Sequence, residues 1–167
     1  SACERLGLKA DLVSRDGNVM RVSGGLRPLL FYRNKHPFND YVAAQMAGDK
    51  GYQYELFVAA GLPVPFTMQV FNPFADDRFN RYKTHRTVAT MADDVDATMT
   101  YPVLIKKPRS SVSQGVYLEA DRDGVHKRLQ TLFENAGFLD NLLLVQSFVE
   151  GPEYRVVADR SGADRRG

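Results

Sequence analysis

"YPVLIKKPRSSVSQGV", residues 101–116, decides the reading of this chain. Val103, Leu104 and Ile105 read as a buried strand that runs into Lys106 and Lys107, then Pro108, a small polar loop and Gly115. A lysine ammonium at the end of an apolar strand loses hydration unless an anion meets it. The loop offers the hydroxyls of Ser110, Ser111 and Ser113, and backbone N–H groups that Gly115 lets approach closely. Such a combination is a phosphate cradle. It is not the P-loop, because lysine precedes the loop and no G-x-x-x-x-G-K-[ST] occurs. Taken alone, the stretch fits an exposed hairpin with solvated Lys and Ser equally well.

Working outward, "VYLEA" closes a hairpin with the lysine strand. In "DGVHKRLQTLFENAG", Val125, Leu129, Leu132 and Phe133 fall at helical spacing, with Gly137 as the expected stop. "NLLLVQSFV" is a strongly apolar strand, in which Leu143, Val145, Phe148 and Val149 are expected core residues, and "EGPEYRVV" turns through Gly-Pro into another. Upstream, the alternating runs around Asp16-Gly17 predict a hairpin. "LRPLLFY" (26–32) reads as a short strand at an edge or strand start, because of Pro28. Asn39 or Asp40 could cap a helix over "YVAAQMAG". The run "DKGYQYELFVAAG" places Tyr52, Leu56, Ala59 and Ala60 on one helical face, ending at Gly61 and Pro63. "LPVPFTMQVF" reads as a strand, and residues 88–97 as a helix whose "ADDVDA" is a solvated helix end rather than a metal site. Helices alternating with strands predict an α+β (α/β layered) architecture.

Composition narrows the function classes. The chain has 167 residues with a formal net charge of +2, which argues against nucleic acid and against an anionic membrane. Its one cysteine, Cys3, cannot form an internal disulfide, so a cytoplasmic, reducing compartment is expected. No apolar run reaches membrane-spanning length, and the N-terminus shows no signal-peptide pattern. His36, His85 and His126 lack metal-ligand spacing, so the expected metal set is none. Both ends read as cut from something longer, a piece of a larger enzyme.

Three further blocks make the lysine strand specific. "GDKGYQYELFVAAGLPVP" resembles the "DK" helix and "G-[LI]-P-V-P" turn of the ATP-grasp superfamily. "LLLVQSFVEGPEYRVV" resembles its hinge strand, "L-V-E-x-[FWY]-[ILV]-x-G-x-E-[YF]". The segment ending "NDYVAAQMAGDK" is similar to what precedes that helix in the synthetases, and "YPVLIKKPRSSVSQGV" to the lysine strand and flap. The resemblance covers roughly 40–158 and includes the D-alanine–D-alanine ligases and the glutathione and cyanophycin synthetases.

It implies a truncated ATP-grasp fold. Residues 1–45 would be the end of a pre-ATP-grasp region and 46–167 a partial ATP-grasp domain. That domain would divide into a helix, turn and insert (46–101), the lysine strand and flap (102–145), and the hinge with the start of a second subdomain (146–167). The implied function is the ATP-binding part of an ATP-dependent carboxylate–amine ligase acting through an acyl phosphate on an amino acid or peptide. Its cofactors would be ATP and Mg2+, the metal ligands lying downstream of this chain. No nucleic-acid or membrane partner is implied, and a homo-oligomer is allowed.

Residue by residue, Lys50 matches a lysine that reaches the ATP phosphates, and Lys106 the second one, over the α- and β-phosphates. Ser111, Ser113, Gln114 and Gly115 would form the flap. Gln146 and Val149 match positions whose backbone bonds the adenine edge, with Phe148 alongside; Gln146 stands where the family usually has Glu. Glu153 matches a carboxylate that accepts the ribose hydroxyls. Lys107, where the family usually has Pro, is expected on the opposite strand face and solvated, with an exchange of roles between Lys106 and Lys107 left open. The plain alternatives are Lys50 as a helix-surface lysine and Glu153 as a solvated turn residue. For the whole, the rival is a non-catalytic nucleotide-binding or assembly module. The basic stretch "RFNRYKTHR" (78–86) reads as a mobile solvated loop, with an anionic-substrate contact as the second reading and nucleic acid as the third.

Overall fold

The computed structural model describes residues 2–33, 35, 37, 38, 40–110, 115–137, 141–152 and 154. The chain divides into two compact units, Ser1–Ala60 and Gly61–Gly167.

In the first unit, a short helix α1 (Ala2–Arg5) leads into strands β1 (Lys9–Leu12), β2 (Val19–Ser23) and β3 (Leu29–Tyr32). They form an antiparallel sheet in the order β1-β2-β3, with Pro28 just outside the edge strand, where no ladder donor is needed. The β1–β2 turn is organised by Asp16. Its carboxylate accepts from the Ser14 hydroxyl (2.6 Å) and from the backbone (3.1 Å) and side-chain (2.6 Å) nitrogens of Asn18. Gly17 adopts φ 72°, the left-handed conformation that glycine takes without steric cost. Those three bonds favour the ionised carboxylate and hold the Asp16 pKa down at about 2. Helices α2 (Tyr41–Ala47) and α3 (Lys50–Ala59) follow, capped by Asp40 and Asp49. Each cap carboxylate accepts from two amides of the first turn, an arrangement worth about 1 kcal/mol.

The expected apolar face of α3 is not buried: Tyr52 is 53% exposed and Leu56 45%, whereas Gly51 is buried. Helical spacing alone selects a face, and packing needs an apolar partner for it. Among the described residues of this unit, Val22 is the buried hydrophobic.

The second unit contains β4 (Thr67–Phe71), a 3₁₀ turn (Asp77–Tyr82), α4 (Val88–Thr98), β5 (Val103–Lys106), β6 (Val116–Glu119), α5 (Arg122–Glu134) and β7 (Leu142–Ser147). The four strands pair antiparallel in the order β4-β7-β5-β6. Strand alternation divides the sheet into two faces. Val70, Leu143, Val145, Val103 and Ile105 point to one face and are fully or almost fully buried against Val88, Met91, Ala92 and Val95 of α4 and Val125, Leu129 and Phe133 of α5. Each of these larger side chains stabilises by about 1.5–3 kcal/mol through burial. Thr67, Gln69, Leu144, Gln146, Leu104, Lys106, Val116 and Leu118 alternate onto the other face, where Leu118 is 55% exposed.

The α+β architecture and the lysine hairpin agree with the sequence reading. Two details differ. Helix α5 is capped at Asn135, two residues before the expected Gly137, because the Asn135 backbone and side-chain nitrogens both reach the Thr131 carbonyl. Phe148 (42%) and Val149 (66%) are exposed, unlike their neighbours Leu143 and Val145, because they lie past the end of β7 at Ser147.

Candidate functional site

Lys106 and Gln146 come together on the sheet face opposite the one that packs against α4 and α5. Their strands β5 and β7 are neighbours, with Leu104 opposite Gln146 and Lys106 opposite Leu144. Lys106 is therefore diagonal to Gln146 on the same face, within reach of a long side chain. The Lys106 ammonium donates to Gln146 Oε1 at 2.6 Å. Gln146 Nε2 donates to Thr67 Oγ1 at 2.7 Å, across the paired strand β4, and Thr67 Oγ1 donates to the Pro65 carbonyl at 3.0 Å. Thr67, 5% exposed, has no counterpart in the sequence reading. Its signal was strand alternation: it lies opposite Gln146 in a run already recognised as a strand.

Beyond Lys106 the backbone leaves the sheet. Lys107 lies past the strand end and is half-buried, so strand alternation does not govern it as expected. Its carbonyl accepts from the Ser110 hydroxyl at 3.2 Å. Gly115 re-enters the hairpin just before β6 with φ 71°. A Cβ there would meet nothing within 4 Å among the described atoms, so glycine serves the left-handed backbone rather than a close approach. Ser111, Ser113, Gln114 and Glu153 lie outside the described residues, as does the strand expected from "YRVV". Phe148 and Val149 follow Gln146 past the intervening Ser147 and expose their side chains. Lys50 belongs to the first unit, where it opens α3 beside the Asp49 cap.

The first part of the basic stretch is a 3₁₀ turn (Asp77–Tyr82) with no buried residue, and Arg78, Arg81 and Arg86 are exposed, as expected for a solvated segment. Phe79 and Tyr82 pack on Phe71 of β4, with centroids 5.8 and 5.7 Å apart. The Arg78 and Arg81 guanidiniums stack over Phe79 (4.9 Å) and Tyr82 (4.8 Å). The guanidiniums keep their exposure while lying over the rings, so cation–π contact is added without removing their solvation. Asn72, 4% exposed, anchors the start of this segment. Its amide nitrogen donates to the Phe133 carbonyl (3.3 Å) and to Asn141 Oδ1 (3.1 Å), while its oxygen accepts from the Phe74 amide (2.9 Å). His85 closes the segment, with Nε2 3.0 Å from Asp94 on α4. A 500 Å³ cavity lies beside Asn72, Phe74, Arg78 and Phe133, and a 330 Å³ cavity is lined by Pro73, Asp77, Asn80, Lys83 and Arg86.

The acidic run on α4 likewise has partners. Asp93 binds the Arg122 guanidinium at 2.6 and 2.8 Å, and Asp94 holds His85. The Tyr101 hydroxyl is buried, and burial together with the Asp96 charge pushes its pKa up to about 12. Among the described residues no three His, Cys, Asp or Glu side chains gather in a way that could hold a metal. No described helix is long and apolar enough to cross a membrane.

No family model matches the chain. Over 105 residues, 63% of its length, it is 27% identical to a D-alanine–D-alanine ligase of Ruminiclostridium cellulolyticum. It spans about a quarter of that enzyme, 24% of its length. Among solved structures it is similar to the VanG D-Ala:D-Ser ligase of Enterococcus faecalis, with 24% identity and a TM-score of 0.48 over 67% of this chain and 28% of that one. A RimK domain ATP-grasp protein of Sphaerobacter thermophilus aligns with 20% identity and a TM-score of 0.47, over 65% of this chain and 34% of its own.

Proposed function

We propose that this chain is the ATP-binding part of a carboxylate–amine ligase that acts on an amino acid or peptide in the cytoplasm. The carrying observation is Lys106, a cation held on the sheet face that α4 and α5 leave uncovered, one hydrogen bond from the strand that leads into Phe148 and Val149. A nucleotide on that face would set its phosphates at Lys106 and the flap residues Ser111, Ser113, Gln114 and Gly115. Its adenine edge would meet the backbone of Gln146 and Val149 beside Phe148, and its ribose would meet Glu153. Lys50 would be the second phosphate lysine. A lysine clamp stabilises the charge that develops on a transferring phosphoryl group.

In the proposed reaction a carboxylate oxygen attacks the γ-phosphorus of ATP and ADP leaves. The amine then attacks the acyl carbon, releasing phosphate and, once deprotonated, giving the amide. Magnesium supplies charge neutralisation between the phosphates in chemistry of this kind. The 27% identity to a ligase that joins two amino acids supports this substrate class. The domain reading is carried with it: 1–45 as a preceding region and 46–167 as part of the ATP-grasp domain.

The test is a contrast of two neighbouring lysines. Lys106→Ala should weaken ATP binding at least about tenfold, the scale of one lost charge-assisted phosphate contact; Lys107→Ala should change it little. The reverse order would shift the phosphate role to Lys107. Supplied with magnesium and amino-acid pairs, the whole protein should release ADP and phosphate. ATP binding without turnover for any pair would instead identify a non-catalytic nucleotide module.

A further inference from the structure

The 3₁₀ turn ends in two cations that the nucleotide reading does not use. Lys83 closes the turn, half-buried, and its ammonium donates to the Ala75 carbonyl, a neutral acceptor. An ammonium has three donors, and that carbonyl takes one of them. Among the described residues Lys83 has no carboxylate partner, and the exposed Arg86 guanidinium has neither an ion pair nor a hydrogen bond. A half-buried ammonium with only a neutral acceptor has given up hydration that an anion would replace.

Both cations line the 330 Å³ cavity, together with Pro73, Asp77 and Asn80. That volume falls at the small end of ligand pockets, which run from about 300 to 1,000 Å³. The cavity also has an acceptor side. Asp77 Oδ1 accepts from Asn80 Nδ2 at 3.3 Å, which leaves Asp77 Oδ2 and Asn80 Oδ1 without a partner among the described residues. Asp77 makes no ion pair with Lys83 or Arg86, so the two signs share the cavity without neutralising each other. A ligand bearing only negative charge would be repelled by Asp77, and one bearing only positive charge by the two cations. A ligand bearing both meets a partner for each.

We propose that this cavity binds a small zwitterion of the free α-amino-acid kind. Its carboxylate meets Lys83 and Arg86, and its ammonium meets Asp77 and the Asn80 amide oxygen. None of the lining residues belongs to the set proposed for the nucleotide, so this is a second site and does not rest on that reading.

The test is calorimetric titration of the whole chain with the common α-amino acids, one at a time. At least one should bind with a Kd below about 1 mM. Propionate and ethylamine, each carrying one of the two charges, should bind at least about tenfold more weakly. Lys83→Ala should weaken the amino acid about tenfold and Arg86→Ala several-fold, since an exposed ion pair contributes less. Asp77→Asn should move two ligands in opposite directions, weakening the amino acid several-fold and strengthening inorganic phosphate, which loses a repelling charge. ATP affinity should be the same in Arg86→Ala as in the unaltered chain, whatever Lys106→Ala does, so the two sites fail separately. Absence of binding by every amino acid would overturn the site. So would binding that Arg86→Ala and Asp77→Asn leave unchanged; both alter exposed side chains and decide the matter even if Lys83→Ala disturbs the turn. Phosphate or propionate binding as tightly as the best amino acid would overturn the zwitterion in favour of a plain anion site. A loss of ATP affinity in Arg86→Ala would put nucleotide phosphates in this cavity and overturn the assignment.

Discussion

The two units of this chain handle their apolar residues in opposite ways. In residues 61–167, apolar positions on α4 and α5 at helical spacing meet the alternating apolar face of a four-stranded sheet, and Met91, Val95, Ile105, Leu129 and Val145 are wholly buried. In residues 1–60, comparable side chains stay at the surface: Leu26, Phe38, Tyr41, Tyr52 and Leu56 are all exposed. The first unit is instead fastened at its polar points, the Asp16 turn and the Asp40 and Asp49 caps. Apolar content does not make a core. Two faces must be presented to each other, and the second unit has them.

The strongest way to break this contrast is to truncate one side chain of each kind. Leu129→Ala should lower stability by about 2–5 kcal/mol in denaturant unfolding, because it opens a cavity in a packed interior. Leu56→Ala should stay within about 0.5 kcal/mol, as exposed positions do. Equal costs would mean that the first unit has a core of its own.

A smaller effect tests the edge of the second core. Tyr101→Phe removes a buried hydroxyl that has no hydrogen-bond partner among the described residues, and should leave stability unchanged or raise it by up to about 1 kcal/mol. The folded pKa of about 12 lies above the ordinary 10, so the folded state holds this proton more tightly than the unfolded chain. Stability should therefore be full below pH 10 and decline as pH rises toward 12. In the Phe variant that alkaline decline should be reduced.

The smallest effect lies at the other end of the pH scale and in the other unit. Asp16 has a folded pKa of about 2 against an ordinary 3.8, so its contribution is present above pH 4 and lost as pH falls toward 2. Amide exchange in β1 and β2 should rise over that interval, and Asp16→Asn should show the faster exchange already at pH 6. An acid-insensitive hairpin would show that the sheet, rather than its turn, holds the first unit together.

Much of this was legible locally. The period-two run around Asp16-Gly17, the Pro28 edge, the Asp40 cap and the lysine hairpin all follow from residues within a few positions of each other. The basic stretch was not. Its charges keep it exposed, and the 3₁₀ turn shows only once Phe71 of a separate strand lies beside Phe79 and Tyr82. The exposure of Phe148 and Val149 was hidden for the same reason: the strand ends at Ser147, and its apolar run does not.

At the candidate site, the sequence by itself placed a lysine at the end of a buried strand, a glycine after the polar loop and an apolar strand carrying Gln146. These are properties of spacing and side-chain type. Tertiary structure decided that β7 lies between β4 and β5, an order that chain sequence does not dictate. Because of that order, Thr67, Lys106 and Gln146, up to 79 positions apart, share one face and one set of hydrogen bonds. Hydrogen bonds act over a few ångströms, and strand pairing alone brings such distant residues that close.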